Sequence, residues 1–222
     1  MSIDYQHQDL NAKAIKLPPG KVVCVGRNYL GHIKELNNNV TTQAMLFMKP
    51  STALCSLSGP ISIPKQLGSC HHETEIAVLI QEPLTHASPL QARAAIWGYG
   101  LALDLTLRDL QSKLKAKGHP WERAKAFDGS CPISGFVPRK KIEAEDKLQF
   151  SLHINGLLRQ QGNSGDMLRD VPSLLAEISQ TFTLLPGDIV LSGTPQGVAE
   201  LKVKDKLSLS LDGHFSIDTK VV

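Results

Sequence analysis

The chain has 222 residues, 41% hydrophobic and 20% charged, with 24 Lys and Arg against 21 Asp and Glu for a formal net charge of +3. That is the make-up of an ordinary globular protein, which excludes a fibrous or intrinsically disordered chain. The basic residues are scattered rather than gathered into a stripe, which argues against a nucleic-acid partner, and no apolar run approaches the roughly 18 residues of a membrane span.

The first residues carry Asp4 and Asp9 among His and Gln, without the apolar stretch of a secretory signal. The cysteines at 24, 55, 70 and 131 form no CxxC pair and read as free thiols of a reducing, cytoplasmic compartment. We expect an N-terminal arm over 1–20 and a single domain over 21–222. From Lys21, VVCVG reads as a strand ended by Gly26, followed by helical turns over Arg27–Leu36 and a mobile loop at Asn37–Asn39. Ala44–Met48 reads as a second strand closed by Lys49-Pro50, and Ile61–Pro64 as an edge piece before HHETEIAVLI. Ser88-Pro89 opens a helix expected to end near Gly98-Tyr99-Gly100, and LALDL follows as a strand. Thr106 can cap a further helix with Asp109 three residues on, its apolar face marked by Leu107, Leu110 and Leu114, until Gly118 and Pro120 stop it.

The run Arg139-Lys140-Lys141 fits a solvated loop. The second half is richer in strands: LQFSLHI and LLRQQ flank the hairpin signal Asn155-Gly156, and Asp212-Gly213 repeats it between LSLSL and FSIDTKV. A helix from about Pro172 to Gln180 and a strand over Asp188–Leu191, entered through Pro186-Gly187, lie between them. The expected fold class is mixed α+β and β-dominated, with short peripheral helices.

The informative residues are carboxylates in apolar surroundings. In an extended HHETEIAVLI, Glu73 and Glu75 project to one face, and Asp104 interrupts the otherwise apolar LALDL. Adjacent buried carboxylates repel, so they need raised pKa values, basic partners or a cation. One hard divalent ion would resolve all three, Mg²⁺ or Mn²⁺ first and Ca²⁺ next; His71 and His72 keep zinc open, although the HExxH pattern fails at Ile76. A lone E-x-E more often marks a solvated strand face; the apolar flank and the third carboxylate weigh against that here.

Other signals are weaker singly. His32 and Glu35, one helical turn apart, can form an oriented base or be two surface polars. Arg108 and Lys125 are surface residues unless the fold brings them to the carboxylates. The turn Gly193-Thr194-Pro195-Gln196-Gly197 can hold a substrate carboxylate on its N–H groups and the Thr hydroxyl, or be a plain turn.

Taken in order, VCVGRNYLGHIKEL, LFMKPSTAL, HHETEIAVLI, LALDLTLRDLQ, PWERAKAFDGSCP, INGLLRQ and GDIVLSGTPQGV resemble the fumarylacetoacetate hydrolase superfamily. The chain is most similar to its short members that act as acylpyruvate hydrolases, oxaloacetate decarboxylases or oxaloacetate tautomerases. The resemblance implies a β-sandwich roll, usually a homodimer, with Mg²⁺ or Mn²⁺ on Glu73, Glu75 and Asp104. It implies a catalytic pair His32 and Glu35 on a lid, with Lys125, and a small 2-oxo acid held by Arg108, Gln111, Lys125 and Thr194. Ala126 departs from the serine common there. Carbon-carbon hydrolysis of an acylpyruvate is placed first, tautomerisation or decarboxylation of oxaloacetate next; a non-catalytic metal-binding scaffold is the alternative from another class.

Overall fold

In a computed structural model, residues 5–35 and 39–222 are described; Asn37 and Asn38 of the expected loop lie outside them. With strands and helices numbered in chain order, the largest sheet runs β2 (Met45–Lys49), β1 (Val22–Gly26), β12 (Ile189–Leu191), β5 (Thr74–Ile80), β6 (Ile96–Leu103), β8 (Cys131–Ile133) and β3 (Leu54–Ser56). β9 (Val137–Pro138) also pairs with β6. A second, four-stranded sheet has the order β11 (Leu157–Asn163), β10 (Gln149–Ile154), β14 (Lys206–Leu211) and β15 (Phe215–Lys220). Three short strands, β13 (Ala199–Glu200), β4 (Cys70–His72) and β7 (Thr106–Leu107), form a third.

The period of two along a strand explains the layering. Val23 and Val25 of β1, with Ile76, Val78 and Ile80 of β5, join the larger core, which also takes Phe150 and Leu152 of β10 and Leu207, Leu209 and Leu211 of β14. Their neighbours Val22, Cys24, Ala77 and Leu79 face the opposite way into a smaller core with Ala102, Ile133 and Phe136. Both faces of β5 are therefore buried, which is why it reads as an unbroken apolar run. Strands β10 and β14 bury one face only and alternate. The fold is mixed α+β and β-dominated, two sheets sandwiching one core, with short helices α1 (Leu30–Glu35), α2 (Pro89–Ala94), α3 (Arg108–Ala116), α4 (Glu122–Lys125) and α5 (Val171–Ser179) around them.

Both hairpin signals act as expected: Asn155 and Gly156 take positive φ of 54° and 80° between β10 and β11, and Gly213 takes 74° between β14 and β15. The capping box at Ser88 and Gln91 starts α2. Three expectations change. Gly98-Tyr99-Gly100 does not end that helix but lies inside β6, because β9 crosses so close that a Cβ on Gly98 would collide with the Val137 carbonyl. Thr106 does not cap α3, whose N-cap is Leu107; its hydroxyl donates to the Asp104 carbonyl instead. Ile61–Pro64 forms only an isolated bridge, from Ile61 to Val221.

Residues 5–20 pack on the smaller core. Ile15 is buried there with Tyr5 and Leu17 against it, and His7, fully buried, donates from Nε2 to the Gly187 carbonyl at 2.9 Å. No helix among the described residues is long and apolar enough to cross a membrane.

Candidate active site

The site lies on the smaller-core face of the large sheet, where β1, β6 and β12 end and β5 begins. Glu75 shares its face of β5 with Ala77, and Asp104, just past β6, falls in step with Ala102. Glu73 sits between β4 and β5, and its carbonyl accepts from the Asp104 N–H at 2.8 Å, so the strand ladder itself places these two residues side by side. Oxygens of Glu73, Glu75 and Asp104 lie within 4.8 Å of one another, and all three residues are buried.

Three cations, Lys125, Arg108 and Lys49, compensate them. The Lys125 ammonium, at the end of the single turn α4, donates to Glu73 Oε2 at 2.9 Å, Asp104 Oδ2 at 2.6 Å and Thr106 Oγ1 at 2.7 Å, which uses all three of its protons. Arg108, in the first turn of α3, donates to Glu73 Oε1 and to Gln111 Oε1. Burial acts to raise the Glu73 carboxyl, but the Lys125 and Arg108 charges outweigh it and hold it well below the usual carboxylate range. Among the described residues Glu75 takes only the Gly193 N–H, at 2.6 Å; burial, reinforced by the like charges of Asp104 and Glu73, pushes its carboxyl well above that range. Burial alone would lower the Lys125 ammonium, yet Asp104 and Glu73 raise it above its ordinary value.

The donor set fits a hard divalent cation. It offers carboxylate oxygens only, one of them, Asp104 Oδ1, accepts no hydrogen bond among the described residues although the Lys49 ammonium stands 2.9 Å away, and the crowding that burdens Glu75 is what a cation relieves. Neither His71 nor His72 belongs to the cluster, and the His72 ring turns instead to Gln160.

One cavity is lined by every residue expected at the site except Glu35: His32, Glu73, Glu75, Asp104, Arg108, Gln111, Lys125 and Thr194, together with Arg27, Phe47, Lys115 and Trp121. Glu35 stands behind His32. Its Oε2 faces His32 Nδ1 at 3.1 Å and its Oε1 accepts from the Gly197 N–H at 2.9 Å. That contact places the proton on Nδ1 and leaves the lone pair on Nε2, the form a base requires. The turn after β12 departs from expectation, since the Gly193 N–H is spent on Glu75 and the Thr194 hydroxyl donates to the Thr74 carbonyl at 2.9 Å.

Sequence reasoning missed two residues. Lys49, read only as the end of a strand, is completely buried, with its ammonium 2.9 Å from Asp104 Oδ1 and its protons directed to the Lys125 carbonyl and to both oxygens of Ser130. A lysine inside the apolar LFMKP was the available signal, because buried lysines are rare unless paired. Gln160, buried on β11, was noted only as the end of INGLLRQ.

The family described as fumarylacetoacetate hydrolase C-terminal matches residues 21–222. Among curated relatives, the oxaloacetate tautomerase YcgM of Escherichia coli (strain K12) is 49% identical over 219 residues, covering 98% of this chain and 100% of its own. The mitochondrial oxaloacetate tautomerase FAHD1 of Mus musculus is 40% identical over 200 residues, 90% of each chain. The crystal structure of fumarylpyruvate hydrolase from Pseudomonas aeruginosa, in complex with Mn²⁺ and pyruvate, superposes with a TM-score of 0.91 at 30% identity, covering 97% of this chain and 94% of the other.

Proposed function

Because the chain belongs to the fumarylacetoacetate hydrolase family of enzymes, we propose that it catalyses the keto-enol tautomerisation of oxaloacetate. The observation that carries this reading is its likeness, over 98% of its length, to the tautomerase YcgM. Carbon-carbon hydrolysis, placed first from sequence alone, moves to second.

The chemistry follows from the residues lining the cavity. A hard divalent cation on Glu73, Glu75 and Asp104 would supply a Lewis acid for the 2-oxo group. Arg108 and the free amide N–H of Gln111 hold the oxo-acid carboxylate, the guanidinium already being fixed by Glu73 and by the Gln111 oxygen. His32, oriented by Glu35 through Nδ1, takes a proton from C3 at Nε2 and returns it to the 2-oxygen, so no atom is gained or lost overall. The Lys125 charge favours the negative oxygen that develops between these two transfers. No attacking water is required.

A second reading, hydrolysis of an acylpyruvate to pyruvate and a carboxylic acid, is favoured by the likeness to the fumarylpyruvate hydrolase holding Mn²⁺ and pyruvate. There the same imidazole would deprotonate a water. Proton NMR of the purified protein with oxaloacetate and, separately, acetylpyruvate, each with Mg²⁺ and with chelator, tests both. Metal-dependent acceleration of keto-enol exchange, with acetylpyruvate intact, is expected. Acetate and pyruvate formed from acetylpyruvate, with exchange at the background rate, would overturn the tautomerase reading in favour of the second.

A further inference from the structure

The motif INGLLRQ supplies no group that lines the cavity, yet its last residue has one of the most constrained side chains in the molecule. Gln160 is 1% exposed and belongs to β11, in the sheet that carries none of the expected ligands. Its Oε1 accepts from the Thr74 N–H and from His72 Nδ1, both at 2.9 Å. Its Nε2 donates to Thr194 Oγ1 at 2.8 Å and to the Pro195 carbonyl at 3.0 Å.

These partners leave no freedom in the assignment. A backbone N–H only donates and a backbone carbonyl only accepts, so Thr74 and Pro195 fix which end of the amide is oxygen and which nitrogen. Thr194 Oγ1 must then accept from Gln160, and its own proton goes to the Thr74 carbonyl at 2.9 Å. The one group Thr194 can still offer the cavity through its hydroxyl is an oxygen lone pair. The turn is also seated directly on this part of β11: Gly197, at a φ of +96°, comes so close that a Cβ there would collide with the Arg159 carbonyl and lie 3.4 Å from the Gln160 Cγ.

We propose that Gln160 is a positioning residue for the site. It acts on substrate only through Thr194, by holding that hydroxyl as an acceptor aimed at a proton-bearing group of the bound molecule, such as an enol hydroxyl. The inference rests on the proposed function and on Thr194, which lines the same cavity, contacting the substrate bound there. It does not depend on which reaction follows.

The test is a double-mutant cycle between Gln160→Glu and Thr194→Val, read as kcat and KM for whichever of the two reactions the native chain catalyses, with thermal unfolding measured in parallel. Gln160→Glu keeps the acceptor for Thr74 and His72 and removes both donors to the turn. It is expected to lower kcat/KM by about 10–100-fold in the native background. In the Thr194→Val background the further loss is expected to stay within about twofold, because the group it positions is already gone. Thr194→Ser, which retains the hydroxyl, restores the sensitivity to Gln160→Glu. Losses that multiply, or a Gln160→Glu protein with native kinetics beside a costly Thr194→Val, overturn this inference alone. A Thr194→Val protein with native kinetics removes the Thr194 assignment and this inference with it. Should Gln160→Glu not fold, Gln160→Met carries the same cycle.

Discussion

The Lys49 ammonium stands 2.9 Å from Oδ1 of Asp104, with the side chains 0% and 1% exposed, and it holds that oxygen by charge alone while its protons go to Lys125 and Ser130. A single buried cation thus fixes a carboxylate of the acidic cluster and the backbone of the lysine facing it. Replacing Lys49 by Met leaves Asp104, among the described residues, with Lys125 as its one remaining cation in the interior, and removing one partner of a buried pair typically costs about 3–5 kcal/mol. Urea unfolding should show a loss of this size. Lys49→Arg should not restore stability, because the broader guanidinium cannot present one charge at the same point.

Divalent metal should stabilise the fold through the same cluster. A ligand that binds only the native state adds about 2.7 kcal/mol at 100 times its dissociation constant. Thermal scans with Mg²⁺ or Mn²⁺ should show a higher Tm that chelator reverses, and Glu75→Gln should abolish the increment. An equal increment in the Glu75→Gln protein would remove Glu75 from the ligand set.

Substituting His32 by Gln should lower kcat for oxaloacetate tautomerisation by about 10²–10⁴-fold, the usual worth of a positioned base. KM should change little, since in the proposed reading Arg108 and Gln111 rather than the imidazole hold the carboxylate. Initial rates over a range of oxaloacetate concentrations separate the two parameters; a loss confined to KM would make His32 a binding group.

Stability should fall on mild acidification because of the N-terminal segment. Burial lowers the His7 imidazole below its ordinary 6.5, although the Gly187 carbonyl opposes this, so the folded chain keeps the ring neutral where the unfolded chain protonates it. The unfolded state then binds the extra proton. The contribution is fully present above pH 6.5 and is lost as the pH falls from there through the folded value. Urea midpoints at pH 7.5 and 5.5 should differ more for the native chain than for His7→Gln, and an equal difference would assign the acid sensitivity elsewhere.

Gly98→Ala should destabilise by about 1–3 kcal/mol, the range for overpacking, because the added methyl group meets the Val137 backbone rather than a movable side chain. Gly213→Ala, where a Cβ meets nothing within 4 Å, tests only the cost of its +74° φ. Paired unfolding curves of the two variants separate collision from backbone strain.

The acidic cluster was legible because charge in apolar surroundings needs a partner: Asp104 interrupts LALDL, and Glu73 and Glu75, two apart, lead directly into IAVLI. The hairpins at Asn155-Gly156 and Asp212-Gly213 were legible because few residues adopt positive φ readily. Gly98-Tyr99-Gly100 misled, since glycine suits a helix end as well as a strand over which another backbone passes, and only β9 distinguishes them. Thr106 misled likewise: its hydroxyl serves the Asp104 carbonyl and Lys125, partners that exist only once the sheet and α4 have met. Lys49 and Gln160 were hidden for the same reason, each being defined by contacts more than 30 positions away along the chain.

The Glu75 carboxylate receives its hydrogen bond from Gly193, 118 positions further along the chain. The full arrangement of the three carboxylates is therefore complete only after β12 has docked beside β5, one of the most non-local pairings in the sheet. Loop closure of that span is slow relative to local structure, so a nascent chain lacking the last strands can set Glu73 beside Asp104 through the β5–β6 pairing but has no Gly193 N–H to fix Glu75. If the cluster holds a divalent ion as proposed, its full set of carboxylates is assembled late in folding, and a chain truncated before Gly193 should bind cation more weakly than the full chain.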